Sequence, residues 1–509
     1  MKLSKKACHD KGWMTESLKN SSKIKNNLYK IWITSSCQDD KIKYLNYKRI
    51  FYNLLKKAES DYYRVKFDNR VNDSKYVWKN INELCSFKKN KNNCCINKIE
   101  QNGKIIESNL EICNIFNEFF SDVGLKLSEK FVPNSNLTKN SFSESLGSSL
   151  SNTYHGEKVT ENEIRLAINE LKSKRSCGPD ELPMIIFKSH RTLLSAPLTF
   201  LFNLSLDSGI VPDCLKIAKV IPIYKKGDKK SVNNYRPISL LNNINKILEK
   251  VVAKRIGKFF EKYHIIYDFQ FGFRQKHSTA LALLEVIDNC YNKLDDSNYV
   301  LGIYFDLQKA FDSVDHEILL KKLFHYGIRG KMHEWFSSYL KNRQQYTHLN
   351  NTISSTRSVK FGVPQGSVLG PLLFIIFVND LPNVLKHEKI KLFADDTNLF
   401  VFAKSLHVLE SKANECVNLM ESWFSCNKLS VNIDKTCYTL FNYKKDVLTD
   451  NLNILLLGTP IVRVKDCKYL GIIIDERLKW DTHIDAIYNN LIKFTSIFAK
   501  LRVILPAGV

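Results

Sequence analysis

The sequence predicts an α+β fold, because strand-like and helix-like segments mix along it without regular β-α alternation. Two further observations say where its chemistry lies. Asp395-Asp396 sits between two apolar runs, 389–393 and 399–403, the pattern of two short strands joined by a tight turn with the acids at its tip. A third carboxylate, Asp306, ends the apolar stretch Gly302-Ile303-Tyr304-Phe305. Adjacent acids repel, and a fold that needs both ionised at one turn usually holds a cation there. Asp is also a favoured turn residue, so the pair gains its meaning from Asp306.

The bulk composition narrows the classes. The chain has 509 residues, 44% of them hydrophobic, enough for two or three domains and a sizeable core. Its net charge of +24 suits a polyanion, nucleic acid first and an anionic membrane surface second. The longest apolar run, 371–378, is too short to span a bilayer. With no apolar signal core at the N-terminus, the reading is an intracellular protein of nucleus or cytoplasm, neither secreted nor transmembrane. Thirteen scattered cysteines, with no C-x-x-C pair and one adjacent pair (Cys94-Cys95), predict free thiols and no zinc site.

Taken in order, residues 1–132 read as a basic, mostly helical segment. Its first hundred residues hold 23 Lys/Arg against 10 Asp/Glu, with Tyr44, Tyr47, Phe51, Leu54 and Leu55 at helical spacing. A solvated basic helical pair and a nucleic-acid-binding arm both fit. Residues 133–155, rich in Ser and Asn, read as a linker. Then come a helix over 160–171 with Thr160 and Glu163 placed for a capping box, an apolar helix over 193–206, and a strand over 218–224 that runs into Lys225-Lys226-Gly227-Asp228. A helix follows over 239–260. The strand over 300–307 has so few polar residues that both faces should be buried. A helix over 315–326 closes on Gly327, and a second over 369–379 follows a turn of small residues, Phe361 to Ser367. After the acidic strand pair come a helix over 406–426 and strands over 437–441 and 469–474. Asp315-His316-Glu317 reads as a helix N-terminus enriched in acids, His277-Ser278-Thr279 as a helix N-cap, and Asp380 as a structural acid.

Three strand-borne acids can hold two Mg2+ ions about 4 Å apart for phosphoryl transfer, and Pro364-Gln365-Gly366 offers a turn small enough to lie against a flat ligand. At this point the chain resembles the reverse transcriptases of non-LTR, jockey-like retrotransposons. The residues that carry the resemblance are Phe305-Asp306-Leu307-Gln308-Lys309-Ala310-Phe311-Asp312, Pro364-Gln365-Gly366-Ser367-Val368-Leu369-Gly370-Pro371 and Phe393-Ala394-Asp395-Asp396. Upstream, Ile221 to Asp228, Asn234-Tyr235-Arg236-Pro237-Ile238-Ser239 and Gln270-Phe271-Gly272-Phe273-Arg274 resemble that family's fingers. Downstream, Leu429-Ser430-Val431-Asn432 with Lys435-Thr436 resembles its next palm motif, and Tyr469-Leu470-Gly471 its primer grip. All occur in family order over about residues 160–480.

The resemblance implies a right-hand polymerase fold: fingers and a palm with an antiparallel sheet over 156–475 (core about 204–474), and the start of a thumb over 476–509. It implies RNA-directed DNA synthesis from an RNA template, a DNA primer and deoxynucleotides, with two Mg2+ ions or Mn2+ in their place. Asp306 and Asp395 are the main implied metal ligands, with Asp396 a weaker third and Leu307 offering a carbonyl. Arg236 would clamp the triphosphate, helped by Lys219 or Lys225. Gln365 and Gly366 would contact the nucleotide, Lys435 would protonate pyrophosphate, and Tyr469, Leu470, Gly471 and Arg274 would face primer and template. Phe311, five residues after Asp306, would exclude a 2′-hydroxyl by its bulk, which speaks against an RNA-directed RNA polymerase. That family usually carries an endonuclease ahead of the polymerase, and nothing in 1–150 resembles one. Trp13-Met14-Thr15 and the basic helices after it look like the connector that follows such a nuclease. One helix to about Arg502 is expected where the thumb needs several. The expectation is thus a fragment or degenerate copy with weak, distributive synthesis, the alternative being a nucleic-acid-binding remnant.

Overall fold

The computed structural model describes residues 12–68, 73–84, 96–129, 142–385, 388–442 and 452–504. The expected linker residues 133–141 and the Cys94-Cys95 pair lie outside these. The chain divides into two units, one of residues 1–93 with 483–509 and one of residues 94–482.

The first unit is helical, as the aromatic spacing predicts. Helix Glu16–Ser35 is capped by Thr15, whose hydroxyl accepts from Leu18 N. Ser36 turns the chain in the left-handed region at φ 50°, and Gln38–Asp68 packs back on the first helix. Trp13, Tyr63, Phe67 and Ile81 share a small core with Ile497 from the helix Thr495–Ile504. The C-terminal stretch, expected as the start of a thumb, therefore folds with the N-terminal helices, and as two helices (Asp481–Ile492 and Thr495–Ile504) where one was expected.

The second unit carries the acids. Its first eleven described strands are β1 (Ile99–Gln101), β2 (Lys104–Ile106), β3 (Ile217–Tyr224), β4 (Tyr235–Leu240), β5 (Tyr299–Phe305), β6 (Arg343–Leu349), β7 (Thr352–Ile353), β8 (Arg357–Val359), β9 (Ile390–Phe393), β10 (Asp396–Ala403) and β11 (Cys437–Phe441). One sheet has the order β4-β3-β6, with β7 and β8 both on β6. The other runs Val462–Arg463, β11, β5, β10, β9. β5 sits at its centre, antiparallel to both β10 and β11. Its side chains alternate between two cores. Leu301, Ile303 and Phe305 join the main core with Val417, Met420 and Phe424 of helix Leu406–Cys426, and Val300 and Tyr304 join a second core with Val286 and Cys290 of helix Thr279–Asp295. The longest apolar run becomes the buried core helix Gly370–Phe377.

Four sequence expectations change. The helix expected over 239–260 begins at Asn243, because Ser239 and Leu240 end β4 and pair with Val220 and Lys219. The strand expected over 469–474 is a hairpin, Asp466–Tyr469 with Ile472–Asp475, turning at Leu470 and Gly471 in the left-handed region. Residues 142–155 are packed rather than linker-like: Phe142–Leu146 forms a 3-10 turn, Ser145 donates to Asp380, and Leu150 N and Tyr154 N donate to the carbonyls of His325 and Gly327. Residues 96–129, expected with the N-terminal segment, belong to the body. Helix Asn109–Ser128 lies on β6, and Phe116 meets Tyr235 edge-on at 4.9 Å.

Asp315, expected as the first residue of an acid-rich helix start, instead caps helix His316–His325, accepting from Glu317 N and Ile318 N at 2.9 and 3.1 Å and from Lys428 Nζ at 2.7 Å. Burial pushes its pKa up, but the Lys428 ammonium and the helix N–H groups overcome that and hold it below the usual value. A depressed carboxylate pKa contributes stability above its unfolded value and loses it as pH falls through the folded one. Asp315→Ala is expected to cost about 1–2 kcal/mol at pH 7. Urea titrations should show the gap to the native chain closing below about pH 4; a gap that stays constant to pH 3 would contradict this.

Candidate active site

The acidic turn is tighter than a generic hairpin. Asp396 already pairs with Phe393, leaving only Ala394 and Asp395 in the loop. Two-residue loops need left-handed backbone, and Ala394 has φ 57°. Gln270, Phe271 and Gly272 brace this costly conformation. Gln270 Oε1 accepts from Ala394 N at 3.1 Å and Gly272 N at 2.9 Å, and Phe271 N donates to Leu392 O at 2.8 Å. A Cβ on Gly272 would collide with Ala394 N, so glycine is required there. Arg274, expected at the nucleic acid, has Nη1 on the carbonyls of Tyr267 and Gln270 and clamps this loop.

Asp306 follows the last residue of β5. Phe305 pairs with Thr397, so Asp306 stands level with the turn. The 429–436 segment clips it from the other side. Lys435 Nζ lies 3.2 Å and Asn432 Nδ2 3.1 Å from its carboxylate, Asn432 N donates to its carbonyl at 2.7 Å, and its own N–H donates to Thr436 Oγ1 at 3.4 Å. Leu307 bridges Val431 beside it.

The electrostatics show three acids crowded together. Asp396 is pushed up to about 6 by burial in the cleft, then by Asp395 and Asp306. Asp395 is raised by burial and by Asp306, against its own backbone N–H and the pull of Arg236 and Lys225. Cations crowd the facing side. Burial lowers Lys225, and the charges of Arg236 and Lys435 lower it further, with Asp306 opposing. Lys309 is lowered by burial and by Lys225, Arg236 and Lys435, with Asp312 opposing. Lys225 thus stands with Arg236 near the acids, whereas Lys219 lies along β3 opposite Leu240 and Tyr346, where its charge is felt by His348. Among the described residues, no three His, Cys, Asp or Glu side chains form a ready-made metal cage.

Phe311 lies beside this cleft, stacked on Phe374 at 4.6 Å and met edge-on by the exposed Phe273 at 6.4 Å. Val363 N donates to its carbonyl at 2.8 Å. The turn after Val363 leans on β4: Ser239 N donates to Gln365 O at 2.8 Å, and Gly366, at φ 131°, leaves no room for a Cβ against Ser239 O. Beneath it, fully buried Glu249 accepts from Val368 N at 2.6 Å, Tyr339 Oη at 2.7 Å and Asn245 Nδ2 at 2.8 Å.

The structure brings Asp306, Asp395, Asp396, Lys435, Arg236 and Lys225 together and sets Phe311, Gln365 and Gly366 beside them. It turns Tyr469 inward, buried against Tyr304 in the second core though still within reach of the Asp396 charge, with Leu470 half-buried on the same core and Gly471 exposed at the end of their hairpin. Sequence reasoning missed Gln270, Lys309 and Asp312 as individuals. All three lay inside quoted motifs, but their roles depend on backbone that no residue type announces, such as Lys309 at φ 48°.

Comparison with known proteins gives the same answer. A family model described as reverse transcriptase (RNA-dependent DNA polymerase) matches residues 223–474. The probable RNA-directed DNA polymerase from transposon BS of Drosophila melanogaster is 33% identical over 341 residues, 64% of this chain and 36% of that protein. The RNA-directed DNA polymerases from mobile element jockey of Drosophila melanogaster and Drosophila funebris are 31% and 30% identical, over 65% and 72% of this chain and 36% and 40% of theirs. The chain therefore spans little more than a third of the length of these curated relatives. Residues 223–474, which hold the three acids, Phe311 and the small-residue turn in one cleft, belong to the reverse transcriptase family, among the relatives carried by non-LTR retrotransposons.

Proposed function

We propose that this chain copies an RNA template into DNA, adding deoxynucleotides to the 3′-hydroxyl of a DNA primer. The observation that carries the reading is the crowding of Asp306, Asp395 and Asp396 opposite Lys225, Arg236 and Lys435, with Phe311 beside them. In this reading the sheet around β5 is the palm and the sheet around β3 the fingers of a right-hand polymerase. Burial and mutual repulsion raise Asp395 and Asp396, a strain that bound cations would relieve, and the carboxylate oxygens suit two Mg2+ ions, with Mn2+ a substitute. Asp306 and Asp395 would hold them, aided by Asp396 and the Leu307 carbonyl, the remaining positions going to phosphate and water. Bound there, the ions supply Lewis-acid stabilisation of the attacking and leaving oxygens.

The chain's own residues do the rest. Arg236 offers a planar fork to the triphosphate and Lys225 a second charge. Lys435, held on Asp306 at 3.2 Å, neutralises that carboxylate and stands ready to protonate departing pyrophosphate. Leu470 and Gly471 meet the primer. Phe311 blocks a 2′-hydroxyl, its ring fixed by Phe374. Among the described residues no helix is long and apolar enough to cross a membrane.

Primer extension on an RNA template with Mg2+, comparing deoxy- and ribonucleotides, tests the reading. The native chain is expected to incorporate deoxynucleotides. Phe311→Val should admit ribonucleotides, lowering sugar selectivity by roughly 10- to 200-fold, the range for a few methyl-sized contacts. Unchanged selectivity in that variant would remove Phe311 from the gate, and equal use of both sugars by the native chain would sink the deoxynucleotide reading.

A further inference from the structure

Asp312 follows the gate residue directly, yet its half-buried carboxylate is engaged with Gln365 rather than with the acids of the cleft. Gln365 Nε2 donates to both of its oxygens, at 2.9 and 2.8 Å. An ionised carboxylate only accepts, and an amide has one donor end and one acceptor end. The pair therefore admits one orientation: the Gln365 NH2 faces Asp312 and its carbonyl oxygen faces away. Both partners sit on clamped backbone. A Cβ on Gly362 (φ 82°) would come within 2.7 Å of the Asp312 carbonyl oxygen, and one on Gly124 would collide with it. The Gln365 backbone is held on Ser239, as described above. Burial pushes Asp312 up to about 6, against the pull of the Gln365 amide and of Lys309. Its ionised form thus works against folding, which is a common mark of a group kept for activity.

We propose that Asp312 is a positioning residue that holds the Gln365 amide with its carbonyl oxygen toward the incoming nucleotide, as the acceptor for one hydrogen-bond donor on it. The proposal rests on the reading of Phe311 and Gln365 as nucleotide contacts. On a deoxynucleotide that donor is the sugar 3′-hydroxyl or an exocyclic amine of the base.

Asp312→Asn keeps the size of the side chain and removes the directional preference, because an amide can face Gln365 with either end. On the full chain, the KM for deoxynucleotides is expected to rise roughly tenfold, the worth of one such hydrogen bond, with kcat changed less than about twofold. The thermal midpoint should stay level or rise, since an unfavourable buried charge is gone. In a Gln365→Ala background the substitution should have no further effect. With Ca2+ replacing Mg2+, equilibrium binding of a labelled deoxynucleotide should weaken by the same factor without turnover. Reduced preference for deoxy- over dideoxynucleotides assigns the donor to the sugar, and losses confined to amine-bearing bases assign it to the base. A KM change with neither signature, additive effects in the double variant, or a fall in thermal midpoint that tracks the loss of binding would each overturn the proposal. A native chain that binds deoxynucleotides without incorporating them would instead overturn the catalytic reading and leave the binding comparison intact.

Discussion

Asp395→Asn is expected to lower primer extension by about a thousandfold or more, on the order of 4 kcal/mol of transition-state stabilisation, while leaving the fold intact. The substitution removes one negative charge and keeps the shape. Asp395 occupies a two-residue loop with the Ala394 backbone already held by Gln270, and its own carboxylate reaches no further into the turn than its own N–H, a contact that an amide oxygen can keep. Its raised pKa makes the same point: ionised, it is buried and then crowded by Asp306, and losing its charge relieves the fold. Circular dichroism and thermal midpoint should match the native chain or improve on it. Asp396→Asn should be milder, since Asp396 starts β10 and is pushed up to about 6, the weaker cation-holder of the two near neutral pH. Deoxynucleotide incorporation that survives Asp395→Asn would withdraw the metal assignment. Loss of both activity and stability would show the turn to be structural.

Much of this site was legible because its chemistry is carried by residue types at fixed local spacing. Asp306, Phe311, Gln365 and Asp395 are each identified by neighbours within a few positions. The strand around Asp306 was legible for a different reason: β5 is buried on both faces, so its apolar run is nearly unbroken. What was not legible depended on pairings distant in sequence. Ser239 and Leu240 carry no mark that distinguishes a strand end from a helix start until β3 is there to pair with them. Tyr469 looks like a surface aromatic beside a Gly turn, and only the second core around Tyr304 reveals that it points inward. The choice between Lys219 and Lys225 could not be made from one strand, because both lie on the same face at even spacing. The separation comes from which end of β3 approaches Arg236 and the acids. The gathering of residues 483–504 with the N-terminal helices is a contact across the whole chain, and no local pattern encodes it.

The largest stability effect is expected at Lys322 and Asp380, whose side chains are both 0% exposed. Lys322 Nζ lies 2.5 Å from Asp380 Oδ1 and 2.6 Å from the Phe377 carbonyl, between the rings of Phe377 and Trp423, each at 4.8 Å. Asp380 Oδ2 accepts from Trp423 Nε1 at 3.0 Å and Ser145 Oγ at 2.6 Å. The pair thus ties helix His316–His325, the end of the apolar helix Gly370–Phe377, helix Leu406–Cys426 and the 3-10 turn Phe142–Leu146 at one point. Burial lowers the Lys322 pKa against the attraction of Asp380, so the ammonium depends on its partner to stay charged. Removing one member leaves the other ionised with no water to solvate it. Lys322→Met or Asp380→Asn alone is expected to cost about 3–5 kcal/mol, read as a drop in the urea midpoint at pH 7. Lys322→Met with Asp380→Leu should recover part of that, because two apolar groups need no solvation. Full recovery is not expected: Trp423 Nε1 would lose its acceptor, at about 1–3 kcal/mol for a group left buried and unpaired, whereas Ser145 Oγ keeps the Phe142 carbonyl. Single costs below about 1 kcal/mol, or a double variant as unstable as the sum of the singles, would mean that water reaches this pair and that it does not organise the core behind the acidic sheet.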